Sequence, residues 1–101
     1  MTKLIERFIS YVKFDTKSDE NSLTCPSTKK QLKLASFLKE EMIKIGLEDV
    51  TLDENGYLMG TLPSNSNKDI PTFGFIAHMD TAPAFSGKDI KPKFIDYNGG
   101  D

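Results

Sequence analysis

The sequence predicts an α/β fold in which helices pack on a mixed β-sheet. Two segments in the N-terminal half repeat apolar residues at intervals of three and four, which is the spacing of an amphipathic helix. Two short β-prone runs then flank an Asn55-Gly56 turn signal, and a nearly continuous apolar run follows at Thr72 to Ala77. Helices that precede a hairpin and a buried strand indicate an arrangement in which the helices cover a sheet.

The first predicted helix starts after Thr2, whose hydroxyl can cap it. Its apolar stripe consists of Leu4, Ile5, Phe8, Ile9 and Val12. The second begins at a T-x-x-Q pattern, Thr28 to Gln31, which is a possible capping box, and it ends at Gly46. Its stripe consists of Leu34, Ala35, Leu38, Met42 and Ile45. The polar segment between the helices, Phe14 to Ser27, is long for a loop, and long ordered loops are often functional.

Three strands are predicted after the helices. Val50 to Leu52 and Tyr57 to Leu62 should pair antiparallel across the Asn55-Gly56 turn, and Pro63 ends the second of them. The run Thr72 to Ala77 lacks the alternation of a half-exposed strand, so we predict a central strand covered on both faces.

Composition restricts the function classes. The chain has 101 residues, a formal net charge of −2 and 28% charged residues, which fits a single soluble domain and gives no basic footprint for nucleic acid. No apolar run approaches the roughly 20 residues that span a bilayer, and no secretion signal is visible. Cys25 has no partner for an internal disulfide. We therefore expect a cytoplasmic protein without nucleic-acid or membrane partners.

The last residues, Tyr97 to Asp101, follow a turn signal with no closing element. This ending is typical of a chain that stops in mid-fold, and a natural short tail is the alternative.

His78, the single histidine, lies at the end of the predicted central strand, two residues before Asp80. In an extended chain these two side chains share a face, so the carboxylate can reach an edge of the imidazole. A metal-bound histidine usually donates its other ring N–H to a carboxylate or carbonyl. One reading is therefore a ligand for Zn²⁺ or a similar ion, oriented by Asp80. The other reading is a structural hydrogen-bonded pair that ties a strand end.

A catalytic zinc centre needs about three protein ligands, so two residues do not complete one. Five acidic residues are further candidates by residue type alone: Asp15, Asp19, Glu20, Asp96 and Asp101. A nucleophilic pair of Cys25 and His78 is disfavoured, because nothing near Cys25 lowers the pKa of its thiol. The glycines do not form a phosphate-binding loop.

The order of motifs resembles the N-terminal part of the peptidase T family, the tripeptide aminopeptidases among the two-zinc exopeptidases. The similar stretches are FDTKSDENSLTCPST, LDENGYLMGTLPSN, GFIAHMDTAP and SGKDIKP, which together cover nearly the whole chain. The His-x-Asp motif is shared with many related carboxypeptidases and deacylases. The DTKSDE and DENGY segments narrow the resemblance to peptidase T. Ala84 departs from the acidic residue expected in relatives.

The resemblance implies a role for each motif residue. It implies that His78 is a zinc ligand and that Asp80 belongs to the catalytic residues and orients it. It implies two zinc ions per active site, tripeptide substrates and a possible homodimer. The bridging aspartate, the general-base glutamate, the further ligands and a lid domain are expected outside these residues.

Residues 1–101 are accordingly interpreted as the N-terminal portion of a metallopeptidase catalytic domain, and we expect no peptidase activity from them alone. Two alternatives stay open. One is a related metal-dependent dipeptidase, carboxypeptidase or N-acyl amino acid deacylase. The other is a non-catalytic α/β interaction domain.

Overall fold

The computed structural model describes residues 2–100 of the chain. The elements follow in the order α1 (Lys3–Tyr11), α2 (Gln31–Lys44), β1 (Glu48–Leu52) and β2 (Leu58–Thr61). The two strands pair antiparallel, and α2 packs against both of them. The α/β class predicted from the sequence is confirmed. Parallel pairing within residues 2–100 is limited to an isolated bridge between Lys17 and Thr81.

Helix α1 begins as the sequence predicts, because the Thr2 hydroxyl oxygen accepts a hydrogen bond from the Ile5 amide at 3.4 Å. The helix is joined to α2 through Glu41, which receives bonds from Arg7 Nε at 3.1 Å and from the Tyr11 hydroxyl at 3.3 Å. Partial burial, together with the nearby Glu41 carboxylate, raises the pKa of Tyr11. Polar contacts thus contribute to holding α1 on the packed part of the molecule.

The predicted capping box at the start of α2 is wrong. The Thr28 hydroxyl donates to the Lys17 carbonyl at 2.9 Å, and the Gln31 side-chain amide donates to Ser27 Oγ at 3.1 Å. The amides of Gln31, Leu32 and Lys33 instead bond to the carbonyls three residues earlier. Because this tighter turn satisfies the free amides, the Thr28 side chain is available to fasten the preceding loop.

Helix α2 ends at the predicted glycine. Gly46 has a φ of +95°, its amide donates to the Ile43 carbonyl, and the Leu47 amide donates to the Met42 carbonyl. These two bonds form a Schellman motif, which needs a left-handed residue at this position and therefore favours glycine.

The hairpin between β1 and β2 is organised by Asp53. Its Oδ1 accepts the amides of Asn55 at 3.0 Å and of Tyr57 at 2.8 Å, and Gly56 adopts a φ of +87°. The Asn55-Gly56 turn predicted from the sequence is confirmed. The carboxylate satisfies two loop amides that face no strand partner.

The predicted central strand at Thr72 to Ala77 is wrong for the residues described. Residues 62–100 contain no helix or strand, and Phe75 and Ile76 are fully exposed, at 99% and 101%. A strand needs a neighbour for its amides and a layer for its apolar faces, and residues 2–100 provide neither beside this run. The radius of gyration is accordingly 16.7 Å, against about 13 Å for a compact domain of this length. Among residues 2–100, the buried apolar side chains are those of Leu34 and Ala35 on α2.

Candidate metal-ligand site

His78 and Asp80 meet as the sequence predicts, although no strand supports them. His78 Nδ1 lies 3.0 Å from Asp80 Oδ1 and 2.9 Å from the Asp80 carbonyl oxygen. A carbonyl oxygen can only accept a hydrogen bond, and so can an ionised carboxylate. Nδ1 must therefore carry the proton, which leaves the lone pair of a neutral imidazole on Nε2.

The exposure of this pair suits a ligand. The His78 side chain is 84% exposed, while that of Asp80 is half as exposed, at 42%. Imidazole nitrogen is a donor that zinc and its neighbours accept, and a carboxylate on the other ring nitrogen is the usual partner of such a ligand. The two side chains therefore fit one ligand and its orienting group.

Thr81, the next residue, fastens the pair to the loop between α1 and α2. The Thr81 amide donates to the Thr16 carbonyl at 3.1 Å, and the Thr81 carbonyl accepts from the Ser18 amide and hydroxyl, each at 2.9 Å. Thr16 is 2% exposed, so one side of this bridge is covered by protein. The loop that the sequence marks as unusually long thus holds the backbone beside the site.

Asp15 fixes the start of the same loop. Its Oδ2 receives the Lys30 ammonium at 2.9 Å, and its Oδ1 receives the Lys17 amide at 3.2 Å. The hydrogen bond from Lys30 holds the pKa of Asp15 below its ordinary value. Gly87 packs against this carboxylate so closely that a Cβ at Gly87 would lie 2.7 Å from Asp15 Oδ1. Asp15 is therefore a structural anchor with an ammonium partner.

The remaining acidic candidates do not gather around His78. Asp19 and Glu20 line a shallow open cleft beside Thr28 and Pro83, Asp96 lies in an exposed segment, and Asp101 lies outside the described residues. Across residues 2–100 no three His, Cys, Asp or Glu side chains come close enough together to hold a metal ion. This part of the chain can supply one ligand to a metal centre.

Cys25 is likewise engaged away from the histidine. Its exposed thiol donates to the Asn55 carbonyl at 3.6 Å. The thiol thus contacts the hairpin loop, whereas the hydrogen bonds of His78 within residues 2–100 go to Asp80.

Sequence reasoning missed Thr16, Ser18 and Thr81. The bridge they form uses mainly backbone atoms, which leave no compositional pattern, and the available signal was the length and polarity of the Phe14 to Ser27 loop.

Comparison with known proteins finds close relatives of this chain. The peptidase T of Brevibacillus brevis is 60% identical over 101 residues, which are 99% of this chain and 25% of that protein. The peptidase T of Geobacillus kaustophilus is 59% identical over 100 residues, 98% of this chain and 24% of that protein. The chain is a close homologue of peptidase T.

A third relative gives the same result. The peptidase T of Vibrio parahaemolyticus is 58% identical over 102 aligned residues, which cover all of this chain and 25% of that protein. No protein-family model matches the chain. The chain spans about a quarter of the length of these peptidase T relatives. Neither helix within residues 2–100 has the length and apolar character to cross a bilayer.

Proposed function

We propose that the protein carrying this chain is a zinc-dependent aminopeptidase that removes the N-terminal residue from tripeptides. In this proposal His78 is a ligand of one of two zinc ions, and Asp80 is the carboxylate that orients it. The observation that carries the proposal is the contact of His78 Nδ1 with two acceptors of Asp80, in a chain that is close to peptidase T along its length.

In this proposal each of the two groups has one task. Asp80 keeps the imidazole proton on Nδ1 and restrains the rotation of the ring. The high exposure of His78 leaves Nε2 open to ligands from elsewhere in the protein. When bound, a pair of zinc ions supplies Lewis acidity for the scissile carbonyl and the attacking water. In this proposal the general base and the other zinc ligands lie outside residues 2–100. The protein acts in the cytoplasm, and any contact that forms a homodimer also lies outside these residues.

Substrate specificity tests the proposed reaction. The purified protein should release the N-terminal residue from unblocked tripeptides, lose this activity with a zinc chelator and recover it with added zinc. Parallel assays distinguish the related enzymes. A dipeptidase would cleave dipeptides, a carboxypeptidase would cleave peptides from the C-terminus, and a deacylase would hydrolyse N-acyl amino acids. Faster turnover of any of these substrates would replace the tripeptidase assignment, and inactivity on all of them would favour an interaction domain.

Replacement of the ligand tests the assigned residue. His78→Ala should lower tripeptide hydrolysis by more than about 100-fold, because loss of a ligand exceeds the 10- to 100-fold typical for loss of its outer partner. Lys68→Ala, in the exposed loop before the site, is the matched control and should retain full activity. Full activity of His78→Ala would remove His78 from the site.

The 101 residues by themselves should not hydrolyse tripeptides and should bind zinc at most weakly, since one ligand is present where about three are needed. Zinc-dependent cleavage by the isolated chain, measured after removal of contaminating peptidases, would contradict this expectation.

A further inference from the structure

The hydrogen bonds that hold the segment of the His78–Asp80 pair converge on one residue. Within residues 2–100, two backbone bonds and one bond from the Ser18 hydroxyl join residues 2–61 to residues 62–100, and all of them end at the main chain of Thr81. Thr81 follows Asp80 directly. The position of the pair relative to the helices is therefore set beside the site itself.

The peptide unit between Asp80 and Thr81 connects this anchor to the imidazole. This peptide is trans, so its N–H and its C=O point in opposite directions in one plane. The N–H donates to the Thr16 carbonyl at 3.1 Å, and the C=O lies 2.9 Å from His78 Nδ1. Holding the N–H against Thr16 consequently aims the Asp80 carbonyl at the ring nitrogen.

Ser18 is the residue of this anchor whose contribution can be changed by substitution. Its hydroxyl and its amide both donate to the Thr81 carbonyl, each at 2.9 Å, whereas the other bonds at Thr81 involve backbone atoms alone. The loop that presents Ser18 is itself fixed, because the Thr28 hydroxyl donates to the Lys17 carbonyl and Lys30 pairs with Asp15.

We propose that Ser18 is a positioning residue for His78. Its hydroxyl holds the Thr81 carbonyl, which keeps the Asp80–Thr81 peptide turned so that His78 retains its proton on Nδ1 and presents Nε2. The effect on metal binding rests on the proposed function, since it requires His78 to be a ligand. The effect on the tautomer of His78 does not require a metal.

The affinity for zinc of the metal-free protein carrying this chain tests the effect of Ser18 on metal binding. Ser18→Ala should weaken zinc binding by about three- to tenfold, less than the 10- to 100-fold loss typical for a direct partner of a ligand. Ser18→Thr keeps the hydroxyl and should bind like the original protein. Ser64→Ala is the matched control, because the Ser64 hydroxyl bonds only within its own exposed loop, to Ser66. Unchanged affinity in Ser18→Ala would overturn the metal-binding part of the proposal.

The tautomer of His78 separates positioning from general stability. Nitrogen-15 NMR of histidine-labelled, metal-free protein, assigned with His78→Gln, should show the Nδ1–H form at a pH at which the imidazole is neutral. Ser18→Ala should increase the Nε2–H form at an unchanged melting temperature. A lowered melting temperature with an unchanged tautomer would reduce Ser18 to a structural role. If His78→Ala retained full zinc affinity, the proposed function would fail, whereas the tautomer result would still decide the role of Ser18.

Discussion

Residues 2–61 and residues 62–100 differ in how they are held. The first region contains both helices, the hairpin and the buried apolar side chains Leu34 and Ala35. The second region has no regular secondary structure and exposes many large apolar side chains. The candidate ligand lies in the second region. A site residue here takes its position from contacts with the other region and not from an element of its own.

The difference has a physical origin. The first region closes its hydrogen bonds locally, through helix ends, a Schellman motif and a carboxylate in the hairpin loop. In the second region, a strand at Thr72 to Ala77 would need neighbouring strands and a covering apolar layer, and residues 2–100 place neither beside this run. Among residues 2–100, the hydrogen bonds of the second region to the first region all end at Thr81, and Gly87 packs against Asp15.

The largest contrast is expected in the stability of the 101-residue chain. Leu34→Ala removes a buried side chain of α2 and should lower the free energy of unfolding by about 2 kcal/mol or more. Phe75→Ala removes a fully exposed ring and should change it by less than about 0.5 kcal/mol. Denaturant unfolding followed by circular dichroism measures both. Equal losses would show that residues 72–77 are packed after all.

Next in size is the effect of Asp80 on metal affinity in the whole protein. Asp80→Ala should weaken zinc binding by up to about 100-fold, while Asp80→Asn, whose amide oxygen can still accept from Nδ1, should lose about tenfold. Asp69→Asn, in an exposed loop of the same region, serves as the control. Calorimetric titration measures the three affinities, and a neutral result for Asp80→Ala would leave His78 without its orienting group.

A pair of glycines compares the regions at the level of the backbone. Gly46→Ala places a Cβ at a φ of +95° and should cost about 1 kcal/mol of stability, whereas Gly74→Ala meets nothing within 4 Å and should be neutral. Thermal unfolding of the two variants measures the difference. A costly Gly74→Ala would contradict the open surroundings of that residue.

The smallest expected effect is a change in the stability of the folded chain at acidic pH. The pKa of Asp15 is lowered in the folded chain by its bond from Lys30, so the stabilisation is present above the ordinary pKa of 3.8 and is lost as pH falls through the lowered value. Asp15→Asn should therefore lose stability at neutral pH and approach the original chain at acidic pH. Unfolding curves across that range measure the convergence, and a constant gap between the two chains would contradict it.

The sequence predicted what local signals determine. Thr2, Gly46 and the Asn55-Gly56 turn act as expected, because a cap, a left-handed glycine and a hairpin turn depend on neighbouring residues. The contact between His78 and Asp80 was predictable for the same reason. The structure of the run Thr72 to Ala77 could not be predicted in this way, since a central strand depends on neighbours that are distant in the sequence. The bridge at Thr81 was not predicted from the sequence, because backbone atoms of segments far apart in the chain form most of it.

The most direct test of His78 as a zinc ligand oriented by Asp80 is nitrogen-15 NMR of His78 in the protein before and after zinc is added. We expect the Nε2 resonance to shift on zinc binding while Nδ1 keeps its proton and its contact with Asp80. Coordination through Nδ1, or no response of either nitrogen at saturating zinc, would contradict the assignment of His78 as a ligand held by Asp80.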